Sequence, residues 1–364
     1  MSALRDPLPP VAAKRDREPP TTVAALPRGS ISQLANAFRA FDSLFVSPRW
    51  LAVIEETFDC HVQAMTASSG GETKGGFLFS DIDDIRGRRM VSLPFSDYAD
   101  PFVEDAATWQ RLVDPLFAIG APLRFRCLHN SVAAADKRFE AVQHLAWHGV
   151  NLQREAEQIW AGLQPAARQN IRKAEAAGLR VRIGRSVDDL RAFYAMHCRV
   201  RKGKYRLFAQ PFRLFENLAS AFSGTDDLFV LLAEIDGVPI AGILFLVHGD
   251  TLYYKFNASS DVRFRPNDLL VWSGLQIGRE RGLARLDFGV SDLDQPGLVA
   301  FKRKFATEER LVTELRWAGD VRRPSHRDRD AGALLGQLTS ILTSPEVPDE
   351  VTRAVGDQLY RYFV

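Results

Sequence analysis

The chain has 364 residues, of which 46% are hydrophobic and 25% are charged, as in an ordinary globular protein. Its length predicts about two domains. No run of 18 or more apolar residues is present, and the three cysteines lie far apart without metal-site or disulfide spacing, so the sequence favours a cytoplasmic protein over a membrane-spanning or disulfide-rich one. The net charge of +2 averages an acidic stretch, 79–114, with a basic one, 165–206. This asymmetry favours an anionic ligand for the second half.

The first half is predicted to hold a disordered arm and one α/β unit. Residues 1–29 are rich in Pro and Arg, which is typical of disorder, and residues 30–150 follow as a compact domain. Apolar residues at helical spacing open this domain at 31–45. The remaining elements predicted for it are strands at 76–79, 90–95, 123–128 and 141–150 and a helix at 106–119.

Residues 151–320 are predicted to form a second α/β unit of similar content, which suggests a structural duplication. Asp236-Gly237 is a strong hairpin signal, and Gly178 marks a helix end. The predicted elements are helix 154–177, strand 179–184, helices 186–201 and 211–222, strands 228–235, 240–247 and 251–257, helix 267–281, strand 283–288 and a final strand. Residues 321–364 read as a charged linker and two amphipathic helices that dock on the second unit.

Three motifs carry a family resemblance over about residues 85–317. They are Leu93-Pro94-Phe95-Ser96-Asp97-Tyr98, the basic helix 168–178, and Asp287-Phe288-Gly289 followed by Gly297-Leu298 and Phe301-Lys302. Together they resemble the FemAB-like branch of the GNAT superfamily of acyl- and aminoacyltransferases. The resemblance implies an α/β (α+β) fold with two tandem GNAT-like domains and mixed, largely antiparallel sheets, to which the C-terminal helical pair is added.

The loop before the helix that starts at Pro266 departs from acetyl-CoA-dependent GNAT domains. It reads Arg263-Phe264-Arg265, where those domains carry a glycine-rich loop that approaches a pyrophosphate. The FemAB-like branch shares this loss. No bound cofactor or metal is predicted, and the acyl donor is expected to be a co-substrate, either aminoacyl-tRNA or an acyl-CoA.

Basic side chains are the candidates for binding phosphate. Arg168 and Arg172 lie four apart on one helix face, which suits a diphosphate or a nucleic-acid backbone as well as a solvated surface. Within the basic run 199–206, the resemblance favours Arg201. Arg265, Tyr98 and Tyr254 complete the predicted substrate- and phosphate-binding residues.

Direct transfer of an acyl group to an amine requires aligned substrates, donors for the oxyanion and a proton acceptor. The resemblance associates Lys302 with contact to substrate or carrier. Asp287, at the end of a strand, and Asp97, in the first motif, are the candidate carboxylates, although turn and capping roles remain open for acidic residues of this kind.

The resulting hypothesis is a transferase that moves an aminoacyl or acyl group from a phosphate-bearing carrier to an amine of a cell-wall or glycan precursor. Peripheral contact with a membrane is a minor possibility, because arginines flank the C-terminal helices. One alternative is an acyl-CoA-dependent N-acyltransferase of exopolysaccharide or small-molecule biosynthesis. The other is a non-catalytic module that binds an anionic ligand.

Overall fold

The structure of the protein is a computed structural model that describes residues 22–26, 41–319 and 326–364. Its strands are β1 (Thr22–Leu26), β2 (Val62–Ser69), β3 (Glu72–Asp84), β4 (Gly87–Ser92), β5 (Leu123–Cys127), β6 (Glu140–Asn151), β7 (Arg180–Gly184), β8 (Leu228–Ile235), β9 (Val238–His248), β10 (Thr251–Ser259), β11 (Arg285–Asp292) and β12 (Glu308–Trp317). These described strands form one mixed sheet in the order β1-β2-β3-β4-β5-β12-β6-β11-β10-β9-β8-β7.

Helices cover this sheet and extend the chain at its C-terminal end. They are α1 (Pro48–Phe58), α2 (Ala106–Phe117), α3 (Ser131–Ala134), α4 (Ala156–Gly162), α5 (Pro165–Ala176), α6 (Val187–Gly203), α7 (Phe212–Ala221), α8 (Pro266–Glu280), α9 (Pro296–Arg303), α10 (His326–Leu342) and α11 (Asp349–Leu359). None of the helices in the described part of the chain combines the length and the apolar character needed to cross a membrane.

Two strand pairs are parallel, β4 with β5 and β10 with β11, and all other neighbours are antiparallel. Each parallel pair is connected through a helix, α2 in the first case and α8 in the second. A strand–helix–strand unit thus occurs once in each half of the chain. The predicted mixed, largely antiparallel α/β fold is confirmed, and the repeated unit agrees with the suggested duplication.

Both parallel pairs separate after a short ladder. β10 and β11 pair only over Thr251–Tyr253 and Arg285–Asp287. Beyond that point β10 stays paired with β9, and β11 stays paired with β6, so a gap opens between them. The β4–β5 ladder likewise ends at Ser92 and Phe125. These two gaps create the space in which the site described below is built.

The core lies on both faces of the sheet, as strand alternation requires. Along β9, Ile243 and Phe245 pack in one cluster with Leu270 of α8. Leu244 and Leu246 point the other way and pack in a cluster with Phe193 of α6. Because both faces of β9 are covered, its sequence is apolar at successive positions.

The structure divides one predicted helix and places part of the predicted arm in the sheet. The helix predicted at 154–177 is two helices, because the chain turns at Leu163-Gln164 and α5 restarts with Pro165 in its first turn, where proline is favoured. The predicted arm, 1–29, lies outside the described residues except for Thr22–Leu26, which forms a strand paired with β2. The predicted domain boundaries remain predictions.

Candidate active site

A cavity of about 500 Å³ lies where the two gaps in the sheet face each other. Residues of β4, β5 and the following loop line it from the first half, and residues of β10, β11 and α9 line it from the second. Its lining contains five cationic side chains, Arg124, Arg126, Arg201, Lys255 and Lys302, and two carboxylates, Asp97 and Glu314. The cavity therefore attracts anions.

Lys302 is the buried cation at the centre of the β10–β11 gap. It lies near the C-terminal end of α9 and is 3% exposed. Its Nζ donates hydrogen bonds to the carbonyl oxygens of Gly289 at 3.1 Å and Val290 at 2.9 Å. Burial lowers the pKa of Lys302 to about 8, although Asp97 and Asp287 act in the opposite direction. An ammonium has three donors, so one N–H remains for a ligand in the cavity.

Asp97 and Lys255 form an ion pair on the same cavity. Lys255 Nζ lies 3.1 Å from Asp97 Oδ1, and its ammonium also sits 4.5 Å from the ring centroid of Phe45 and 4.9 Å from that of Trp50. Asp97 also approaches the backbone of Gly289, where an added Cβ would come within 2.4 Å of Oδ2. Because Gly289 has no side chain, the Asp97 carboxylate can lie against its backbone, close to Lys302.

Asp287 lies behind this cavity rather than in it. It is 2% exposed, and burial raises its pKa. Its Oδ1 accepts from Trp147 Nε1 at 2.9 Å and from the Gly289 N–H at 2.6 Å, while Oδ2 accepts from Tyr98 Oη at 2.7 Å. Asp287 therefore holds the N–H of Gly289, the residue whose carbonyl oxygen accepts from Lys302, which is the role of a positioning residue.

Four of the nine predicted residues line the 500 Å³ cavity, namely Lys302, Asp97, Arg201 and Tyr254. Asp287 and Tyr98 instead line a polar cavity of about 320 Å³. Burial raises the pKa of Tyr98 and of Tyr254, so both phenols stay neutral. Arg201 Nε donates to the Phe208 carbonyl at 3.0 Å, which anchors the loop after α6.

The predicted arginine pair of α5 does not face either cavity. Arg168 Nη1 donates to the carbonyls of Trp160, Ala161 and Leu163, and so binds the C-terminal end of α4. Arg172 is exposed and stacks over the Trp160 ring at 5.7 Å. Arg168 is thus committed to the end of α4 and Arg172 is exposed, and a phosphate-binding role for this pair stays a prediction.

The basic run 199–206 is divided between two roles. Arg201 lines the cavity, whereas Lys202 donates to the Val347 carbonyl and pairs with Asp349 at 2.6 Å. Arg206 donates to the carbonyls of Thr343 and Ser340. Two of the five cations therefore hold the C-terminal extension in place rather than a phosphate.

The N-terminus of α8 is unsuited to a second anion. Asp268 is buried in its first turn, where its carboxylate is bound by Lys304 and by Asn170 Nδ2 at 3.3 Å. Arg265 precedes the helix with a φ of 59°, and its side chain is exposed. A carboxylate already occupies the positive end of this helix, which agrees with the missing glycine-rich loop.

Sequence reasoning missed Lys255, Glu314 and the end of the chain as cavity residues. Lys255 is the extra residue of a β-bulge between Tyr254 and Phe256. Tyr360 packs on Phe58 and Phe95, at ring-centroid distances of 6.0 and 5.5 Å, and closes one side of the cavity. The sequence signal that could have identified Lys255 is a lysine placed between aromatic residues within a predicted strand.

Comparison with known proteins agrees with this architecture. Residues 165–303 match the acetyltransferase (GNAT) domain. The chain is 36% identical over 83 residues to a lipid II:glycine glycyltransferase of Staphylococcus epidermidis, covering 21% of this chain and 20% of that protein. The enzyme of the same name from Staphylococcus haemolyticus is 36% identical over 91 residues, covering 22% of each chain. The chain thus spans about a fifth of the length of the curated relatives it matches.

Solved structures extend the likeness to most of the fold. The crystal structure of FemX superposes with a TM-score of 0.62 at 14% identity, covering 86% of this chain and 99% of that one. A tandem GNAT protein from the clavulanic acid biosynthesis pathway gives 0.53 at 10% identity, covering 82% and 98%. The chain therefore shares the fold of FemX and of this tandem GNAT protein, and its residues 165–303 match the acetyltransferase (GNAT) domain.

Proposed function

We propose that the protein is an acyltransferase that forms an amide by direct transfer of an aminoacyl group from a phosphate-bearing carrier to an amine of a glycan or cell-wall precursor. The observation that carries this proposal is Lys302, a buried ammonium with one uncommitted N–H beside a cationic cavity of about 500 Å³. The names of the staphylococcal relatives support an aminoacyl group and a lipid II-type acceptor.

The geometry supplies the groups that such a transfer needs. The acceptor amine attacks the carbonyl carbon of the donor, so that a C–N bond forms and the carbonyl oxygen becomes an oxyanion. Lys302 Nζ donates its remaining N–H to this oxygen. Asp97 accepts a proton from the attacking nitrogen. The oxyanion then re-forms the carbonyl as the bond from carbon to the carrier breaks, and the proton held by Asp97 passes to the leaving oxygen or sulfur.

The residues at the N-terminus of α8 favour aminoacyl-tRNA over an acyl-CoA as the donor. Asp268 is buried in the first turn of that helix as an ion pair with Lys304, and the loop before the helix lacks the glycines that let a backbone approach a pyrophosphate. The cationic cavity lies elsewhere and suits the phosphates of another carrier. An acyl-CoA-dependent N-acyltransferase remains the competing hypothesis, and transfer assays with both donors separate the two.

The decisive test is Lys302→Met, assayed for transfer from aminoacyl-tRNA and from acyl-CoA by mass spectrometry of the products. Loss of one oxyanion donor is expected to lower kcat by roughly 100- to 1,000-fold. Arg303→Met is the matched control, because Arg303 is on the same helix but is exposed and paired with Glu309. Full activity of Lys302→Met would refute the mechanism, and tight binding without turnover of any donor would favour a non-catalytic module.

A further inference from the structure

A second cavity of about 350 Å³ is lined by residues of β4, β5, β12 and α10, and it shares Arg124 with the cavity described above. Five arginines line it, Arg86, Arg88, Arg89, Arg124 and Arg316, together with one carboxylate, Asp328. Its apolar wall includes Ile119, Ala121 and Pro122. A volume of this size is at the lower end of the roughly 300–1,000 Å³ of small-molecule sites.

Three of these arginines are neutralised by carboxylates of their own. Arg86 Nε pairs with Asp328 at 2.8 Å, Arg88 binds Asp81 through two nitrogens, and Arg89 binds Asp84 in the same way. These pairs form the rim of the cavity and supply no excess charge.

The excess charge comes from Arg124 of β5 and Arg316 of β12, which line this cavity, whereas their neighbours Arg126 and Glu314 line the 500 Å³ cavity. Arg124 and Arg126 share Glu314, at 3.3 and 2.7 Å, and the carboxylate is almost fully buried between them. Arg316 stands directly opposite Arg124 in the β5–β12 register, and among the described residues it has no carboxylate partner. Three guanidiniums therefore meet one carboxylate.

Such a placement is unfavourable for the protein alone. Like charges directly opposite each other destabilise a pair of strands. Burial lowers the pKa of Arg124, and Arg86, Arg316 and Arg126 lower it further against the effect of Glu314. An anion bound between Arg124 and Arg316 would offset this repulsion, because both guanidiniums line the cavity and Arg316 has no carboxylate partner among the described residues.

We propose that this cavity, here named the arginine cavity, binds the phosphate of a phosphomonoester between Arg124 and Arg316, with its organic group against Ile119 and Pro122. A phosphomonoester carries about −1.5 to −2 charges at pH 7, and guanidiniums bind it in bidentate fashion. The ligand is either a free small phosphomonoester or the headgroup of a phosphatidic-acid-type lipid. The proposal does not depend on the transfer reaction.

The experiment compares wild-type protein with Arg316→Gln in phosphate-free buffer, using phenyl phosphate as the soluble probe and calorimetric titration as the readout. Phenyl phosphate is expected to bind at one site and to lose at least tenfold in affinity in the variant. Phenyl sulfate, which has the same shape and one charge, is expected to bind at least tenfold more weakly than phenyl phosphate. Arg191→Gln is the matched control, since Arg191 is exposed and pairs with Asp188.

Vesicle binding identifies the source of the phosphate, and thermal melting shows whether the variant is folded. Binding to vesicles with phosphatidic acid, but not to phosphatidylcholine vesicles or to phenyl phosphate, would support a lipid headgroup, provided that Arg316→Gln abolishes it. Without ligand, Arg316→Gln is expected to melt no lower than wild type, and Arg316→Lys to bind phenyl phosphate with intermediate affinity. Equal affinity of wild type and Arg316→Gln, or no binding of either probe, overturns the proposal.

Discussion

The buried ammonium of Lys302 makes the stability of the fold depend on pH in a way that one substitution isolates. An ordinary lysine has a pKa of 10.5, and burial lowers that of Lys302 to about 8. The difference corresponds to roughly 3 kcal/mol of preference for the neutral amine in the folded protein. The side chain is 3% exposed, so solvent screens little of this energy.

The direction of this pH dependence follows from the number of protons that the folded and the unfolded protein bind. Below about pH 8 the lysine is protonated in both the folded and the unfolded protein, and the full cost of burying the charge is present. Between about 8 and 10.5 the unfolded chain binds more protons than the folded one, so this residue's contribution to the free energy of unfolding rises with pH. Above 10.5 the gain is complete.

The assay is urea unfolding of wild type and Lys302→Met at intervals from about pH 7 to about pH 10.5. Because the other titrating groups are shared, the wild-type minus variant difference in unfolding free energy is expected to rise by roughly 3 kcal/mol over this range. Lys137→Met, at an exposed lysine, corrects for the loss of one positive charge. A difference that stays level with pH would refute the argument that Lys302 is a desolvated ammonium.

Two further predictions separate positioning from ligand contact. Arg168→Met is expected to lose about 1–3 kcal/mol of stability, because three carbonyls at the end of α4 lose their donor. The kcat/KM of the folded fraction is expected to stay unchanged. Reduced affinity for a phosphate-bearing carrier at unaltered stability would contradict this prediction. Tyr98→Phe removes a 2.7 Å hydrogen bond from buried Asp287 and is expected to cost about 1–3 kcal/mol in urea unfolding, against less than about 0.5 kcal/mol for exposed Tyr205→Phe. Equal costs for the two tyrosines would show that the Asp287 carboxylate does not need this donor.

Local signals located most elements of the fold. The Asp236-Gly237 turn joins β8 and β9 as a hairpin, and the apolar strands around it were visible from their composition. The motif around Lys302 led directly to the cavity. In each case the information lies within a few neighbouring residues, where propensity and spacing act.

The rest of the functional residues could not be located from the sequence, because their surroundings depend on contacts between distant parts of the chain. Lys255 gains its environment from Phe45 and Trp50, some 200 residues earlier, and from a bulge that no spacing rule marks. Arg168 looked available because its helix face is polar, yet the end of α4 lies against that face. Arg316 and Arg124 become neighbours only through the pairing of β12 with β5.

The position of β12 has a consequence for how the chain comes apart. This strand is the last one of the second half in sequence, yet it is inserted between β5 and β6, both of which come from the first half. Cutting the polypeptide after Asn151 would therefore leave the first fragment without the strand between β5 and β6. In the second fragment, β12 would lose both of its partners and β11 would lose β6. Each half separated from the other would therefore expose backbone groups of strands that are paired in the intact sheet.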